Sequence, residues 1–202
     1  MKKEFYLSFE QSDFWADFSF VDFTNDFLRT MEGPISKALR SMHELEAGAI
    51  SNPDENRMVG HYWLRDPDLA PSAELSGAIK ETLNKVKYIA NQVHSKTLQS
   101  PQGPFTDLLV IGIGGSALGP QFVGKALGHP GNDKLKVHFF DNTDPDGIDL
   151  TLSEIGDSLS TTLVLVISKS GGTPETRNGM LEAEHAFSSR GLDFSKQAIA
   201  VT

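Results

Sequence analysis

Asp107-Leu-Leu-Val-Ile-Gly-Ile-Gly-Gly-Ser-Ala-Leu-Gly119 joins an unbroken apolar run to a glycine-rich turn and then to a segment of helical character. A continuous apolar run that ends on glycines is the pattern of a strand buried on both faces, the kind found in parallel sheets. Three further runs share it: Leu135 to Phe140, Thr162 to Ile167 and Gln197 to Val201. Between them lie helical patterns over Leu118–Leu127, Pro145–Ile155 and Pro174–Arg190. Strands alternating with helices at this spacing predict βαβ units, a parallel sheet and right-handed crossovers. The fold class expected is therefore α/β.

Upstream the rhythm differs. Residues Gln99-Ser-Pro-Gln-Gly-Pro104 cannot continue a helix and mark a boundary. Before them, Leu75, Ile79, Leu83, Val86, Ala90 and Val93 stand at helical spacing, with Ser72 as the expected N-cap. From Asn25 to Ala49 the pattern is again helical, and Gly33-Pro34 is expected to split it into two pieces. Phe5, Tyr6, Phe9, Phe14, Trp15, Phe18, Phe20, Phe23 and Phe27 crowd the start of the chain and need a surface to pack on. The expected division is an aromatic and helical extension over residues 1–71, then an α/β domain over 72–202.

Composition removes several classes of function. Eighteen basic against 27 acidic residues give the 202-residue chain a net charge of −9 and a pI near 5.1, against broad binding to nucleic acid or anionic membranes. No apolar stretch approaches the roughly 20 residues of a membrane span. With no cysteine, neither disulfides nor thiolate metal sites are available. The start Met-Lys-Lys-Glu-Phe-Tyr lacks the apolar core of a secretion signal, so a cytoplasmic location is expected.

In an open parallel sheet, ligands bind beyond the carboxyl ends of the strands. Gly112-Ile-Gly-Gly-Ser-Ala-Leu-Gly119 leaves the first run with glycines that allow close backbone approach and a serine entering the helix, an anion cradle or a purely structural turn. It is not a dinucleotide fingerprint, because Ala117 occupies the place of the third glycine, and it is not a Walker loop. Ser168-Lys-Ser-Gly-Gly-Thr-Pro-Glu-Thr176 leaves the third run with hydroxyls, a lysine and a helix start, where Thr173 can cap and Pro174 fits the first turn. Asp141 to Gly147 resembles a calcium loop, but its twelfth position is Ser153, and Asp144 capping a helix that begins at Pro145 is the better account. The six histidines show no metal spacing, His138 is expected to be packed or face-exposed within its strand, and no metal site is assigned.

The pair Gly112-Ile-Gly-Gly-Ser-Ala-Leu-Gly-Pro120 and Ser168-Lys-Ser-Gly-Gly-Thr-Pro-Glu-Thr176 closely resembles the two phosphate loops of the glucose-6-phosphate isomerase family, within its sugar isomerase (SIS) domain. His61-Tyr-Trp-Leu-Arg65 is similar to the preceding segment of bacterial, cyanobacterial-like members; the resemblance is not extended to the aromatic arm. The resemblance implies a three-layer, flavodoxin-like SIS fold over 72–202 behind the extension. It implies interconversion of glucose 6-phosphate and fructose 6-phosphate through a cis-enediol without metal or other cofactor, in a cytoplasmic homodimer. It also implies that Ser116, Ser168, Lys169, Ser170 and Thr173 hold the sugar phosphate, with Gly115 allowing backbone approach.

The second loop departs from the common animal pattern at Ser170, Gly171 and Gly172, although a hydroxyl remains at Ser170. The family's base, its ring-opening histidine and lysine, and its arginine lie later in the chain than the position of Thr202, so none is assigned here. The expectation is a truncated domain that binds phosphate esters without turnover. A phosphosugar-sensing SIS module without catalysis and a dinucleotide-dependent oxidoreductase are the competing classes.

Overall fold

The computed structural model describes residues 5–202. They fall into two compact units, Met1–Leu83 and Asn84–Thr202.

In the first unit, β1 (Tyr6–Phe9) and β2 (Phe14–Asp17) form an antiparallel hairpin with Phe9 opposite Phe14. Behind it Phe23 gathers the rings of Phe5 at 5.3 Å and Phe27 at 5.7 Å. Helix α1 (Asn25–Glu46) starts at Thr24, whose hydroxyl accepts from the Phe27 amide at 3.1 Å. Contrary to expectation, α1 runs through Pro34 unbroken. No residue of α1 is buried, so the carbonyl that Pro34 leaves without its amide partner can be solvated, and helix on both sides carries the chain across. A short hairpin of β3 (Ile50–Asn52) and β4 (Arg57–Met58) follows. In α2 (His61–Arg65) the buried Trp63 donates its indole N–H to the Glu46 carbonyl at 2.9 Å. Helix α3 (Ala73–His94) crosses the division between the units and begins as expected, the Leu75 amide donating to Ser72 Oγ at 3.2 Å.

The second unit is a four-stranded parallel sheet in the order β6-β5-β7-β8, with β5 (Asp107–Ile111), β6 (Lys136–Phe140), β7 (Thr162–Ile167) and β8 (Ala198–Val201). Each strand lies within a run foreseen from the sequence. Helices α4 (Gly115–Leu127), α5 (Pro145–Ile155) and α6 (Pro174–Ser189) make the returns. The chain steps from β5 to one neighbour and then back across β5 to the other, so right-handed crossovers put α4 on one face and α5 and α6 on the opposite face.

Alternation along the strands feeds two cores. Leu109, Ile111, Phe140 and Val164 pack with Ile148, Ile155, Leu159, Ala183 and Phe187. Leu108 and Leu163 turn the other way, to Val93 and Phe105. Phe187 is fully buried and meets Phe194 edge to face at 5.5 Å. This is a three-layer α/β domain of flavodoxin-like strand order. Among the described residues, no helix is long and apolar enough to cross a membrane.

Candidate functional site

The strand order reverses at β5 and β7, and at such a switch point the two adjacent strand ends diverge and leave a crevice. Both candidate loops leave these two strands. Gly112 continues β5 and donates its amide to the Phe140 carbonyl at 3.1 Å. A Cβ at Gly112 would lie 2.8 Å from Ser116 Cβ and 3.2 Å from the Ile167 carbonyl oxygen, so this glycine lets the first turn of α4 approach the end of β7. Gly114 has φ 55° and ψ −124°, a glycine-only conformation that turns the chain into the helix. The amides of Ser116 and Ala117 close the turn on the carbonyls of Ile113 and Gly114, both at 3.1 Å. Ser116 is half-buried, and the space beside Gly115 is open.

The second loop gathers hydroxyls. Ser168 is buried, its amide donating to the Val201 carbonyl at 2.9 Å, and its Oγ lies 3.0 Å from Thr173 Oγ1. Ser170 Oγ is 3.4 Å from the same Thr173 oxygen and accepts from the Gly172 amide at 3.2 Å. Lys169 is exposed on the loop. Thr173 takes the N-cap position of α6, but its side chain makes no capping bond. The expected cap is thus replaced by a hydroxyl cluster, because Ser168 and Ser170 stand within reach of the oxygen that would have capped. The start of α6 keeps its positive dipole end without a side-chain cap, which favours an anion there. In the same first turn Thr176 is buried with a hydroxyl that has no partner.

The loop after β6 behaves as a cap: Asp144 Oδ1 accepts from the Asp146 amide at 3.3 Å and Pro145 opens α5. Among the described residues no cluster of metal-ligating side chains occurs. His138 is buried in β6, where its Nε2 lies 2.9 Å from Asp107 Oδ1. Asp107 opens β5 and His138 stands in the middle of β6; of the packed and face-exposed roles that the sequence left open for His138 the structure shows the packed one, and sequence reasoning missed its partner. Sequence reasoning also missed Gln121, which donates from α4 to Asp141 Oδ2 at 2.6 Å. No sequence signal links residues 20 positions apart on a helix and a loop.

The sequence profile of the phosphoglucose isomerase family matches residues 21–202, both loops included. The chain belongs to the phosphoglucose isomerase family. Its similarity to a family member from Synechococcus elongatus, a glucose-6-phosphate isomerase, is 58% identity over 191 residues, which is 94% of this chain and 36% of that protein. A glucose-6-phosphate isomerase from a Geobacter species is 59% identical over 188 residues, 93% of this chain and 35% of its own length. The chain therefore spans a little over a third of these phosphoglucose isomerases. The crystal structure of a glucose-6-phosphate isomerase from Chlamydia trachomatis superposes with a TM-score of 0.78 at 26% identity, covering 98% of this chain and 38% of that one.

Proposed function

We propose that this chain is the sugar-phosphate-binding part of a glucose-6-phosphate isomerase, holding the phosphate of glucose 6-phosphate or fructose 6-phosphate through Gly115, Ser116, Ser168, Lys169, Ser170 and Thr173. The observation that carries the proposal is the meeting of the two loops at the switch point, where Gly112 fits between Ser116 and the Ile167 carbonyl and three hydroxyls gather around Thr173. A phosphate monoester needs donors from several directions and a compensating cation. Rotatable hydroxyls, amides at the starts of α4 and α6, and the Lys169 ammonium meet that need in a chain whose net charge of −9 otherwise repels anions.

Isomerisation moves a proton between C1 and C2 of the open-chain sugar through a cis-enediol. A base must come within about 2.6–3.2 Å of that proton, or reach it through one water. None of the six proposed ligands is a carboxylate or an imidazole, and the buried His138 is held within the sheet by Asp107 at 2.9 Å. On the resemblance to the family, and not from the loops themselves, we assign the base, the ring-opening groups and the enediolate-facing arginine to parts of the full-length protein outside these 202 residues; Glu175, in the first turn of α6, takes the place of a phosphate-loop glutamate and not of the base, and we expect this chain to bind without turnover. In this proposal the full-length protein is a cytoplasmic homodimer that needs no metal or other cofactor, and the chain comprises an extension over 1–71 and the SIS domain over 72–202.

The test is Lys169→Ala. A charge-assisted contact to a phosphate oxygen accounts for about ten-fold or more in affinity. Calorimetric titration should therefore show at least that loss for glucose 6-phosphate and little change for glucose. Equal losses for the two sugars would reject a phosphate role for Lys169.

A further inference from the structure

Gln121 lies beyond Ser116 on α4 and reaches back to the sheet. Its Nε2 donates to Asp141 Oδ2 at 2.6 Å, and the other carboxylate oxygen accepts from Asn142 Nδ2 at 2.8 Å. Asn142 Oδ1 in turn accepts from the Asp144 amide at 2.8 Å, and Asp144 caps α5. The result is a hydrogen-bonded strut running from the middle of α4, through the loop after β6, to the first turn of α5.

The remaining anchorage of α4 is light. Ala117 is its buried residue, while Leu118, Phe122 and Leu127 are exposed. Pro120 has no amide to offer the Ser116 carbonyl, so the first turn of α4 lacks one of its own helical bonds. The strut also engages a residue beside the glycine loop: Ile111 is in register with Phe140, so Asp141 stands next to Gly112 on the neighbouring strand. A carboxylate so near an anion site works against binding by charge alone. Its amide partners, Gln121 and Asn142, account for its presence there, because each occupies one of its oxygens.

We infer that Gln121 and Asp141 are positioning residues, which set the tilt of the first turn of α4 and so hold Gly115 and Ser116 where they meet the phosphate. The inference rests on the proposed phosphate site and assigns the pair no contact with the ligand.

The 202-residue chain labelled with ¹⁵N, titrated with glucose 6-phosphate and followed at the Gly115 and Ser116 amides, tests it. Gln121→Ala should raise the dissociation constant about five-fold, as expected for loss of a partly exposed hydrogen bond to a charged group. Amide exchange at Ser116 should accelerate while the melting midpoint stays near that of the wild type, because alanine is a strong helix former. Gln121→Glu sets two carboxylates against each other and should lose more. Combining Gln121→Glu with Asp141→Asn restores a donor and an acceptor with reversed roles, and should return affinity to near the wild-type value. That rescue separates positioning from general destabilisation. An unchanged dissociation constant in Gln121→Ala, or a double variant as weak as Gln121→Glu alone, would overturn the inference. If the wild-type chain itself gave no saturable shift with glucose 6-phosphate, the proposed phosphate site would fall and the inference with it.

Discussion

Gly112→Ala sets the proposed architecture of the site against a measurable clash. The added methyl would lie 2.8 Å from Ser116 Cβ and 3.2 Å from the Ile167 carbonyl oxygen, whereas carbon atoms in contact sit about 3.5–4.0 Å apart. The Ile167 side of this contact is rigid, since β7 is hydrogen-bonded on both flanks and Ser168 is tied to Val201. Ser116 must therefore yield by the better part of an ångström, taking the first turn of α4 with it. Overpacking of this kind costs about 1–3 kcal/mol. In a chain of this size that lowers the melting midpoint by roughly 2–12 °C.

Gly115→Ala is the matched control. A Cβ there meets nothing within 4 Å, and alanine at the start of a helix costs no stability, so the midpoint should hold or rise slightly. The new methyl would nevertheless project into the open space assigned to the phosphate. Calorimetric melting combined with glucose 6-phosphate titration should find Gly112→Ala weakened in both stability and affinity, and Gly115→Ala weakened in affinity alone. Wild-type affinity in Gly112→Ala, despite a lowered midpoint, would refute the claim that this glycine sets the cradle. Wild-type affinity in Gly115→Ala would place the phosphate elsewhere.

Other expectations concern stability and titration. His138→Ala would remove the buried imidazole from Asp107 Oδ1, while the Thr106 hydroxyl still donates to Oδ2 at 2.8 Å, and should cost about 1–3 kcal/mol in urea denaturation, with a loss below about 0.5 kcal/mol counting against a significant pair. Asp193 accepts from the Ser195 hydroxyl at 2.7 Å and from its amide at 3.0 Å, and these bonds, the hydroxyl foremost, hold its carboxyl below the ordinary carboxylate range. A depressed folded-state value favours folding at pH above the unfolded carboxylate value near 4, and that contribution fades as pH falls through the folded value. An NMR titration of the Asp193 carboxyl should show a low midpoint that rises in Ser195→Ala; an unmoved midpoint would exclude the hydroxyl as the cause.

The α/β unit was legible in the sequence because its signals are local and redundant. Each buried strand is a continuous apolar run, each return helix opens on a proline or a glycine turn, and the loops after β5 and β7 announce themselves by composition. Capping by Ser72 and Asp144 follows from chemistry within a few residues. What escaped notice depends on pairings between distant residues. His138 finds Asp107 across 31 positions and Gln121 finds Asp141 across 20, and both follow from strand order and register, which no short window contains. The hairpins β1–β2 and β3–β4 are short and largely exposed, so they lack the alternation of apolar and polar residues that marks a half-buried strand. Thr173 shows how a correct local rule can lose to its neighbours: a hydroxyl at an N-cap position turned instead toward Ser168.

The strand order has a consequence for how the chain comes off the ribosome. β5 is made first, yet its two flanks are filled by β6 and β7, the latter beginning only at Thr162. At a synthesis rate of about 5–20 residues per second, Thr173 emerges roughly 3–11 s after Ser116. Until then the central strand has one open edge and an uncovered apolar face, and the two loops of the proposed phosphate site have not yet met.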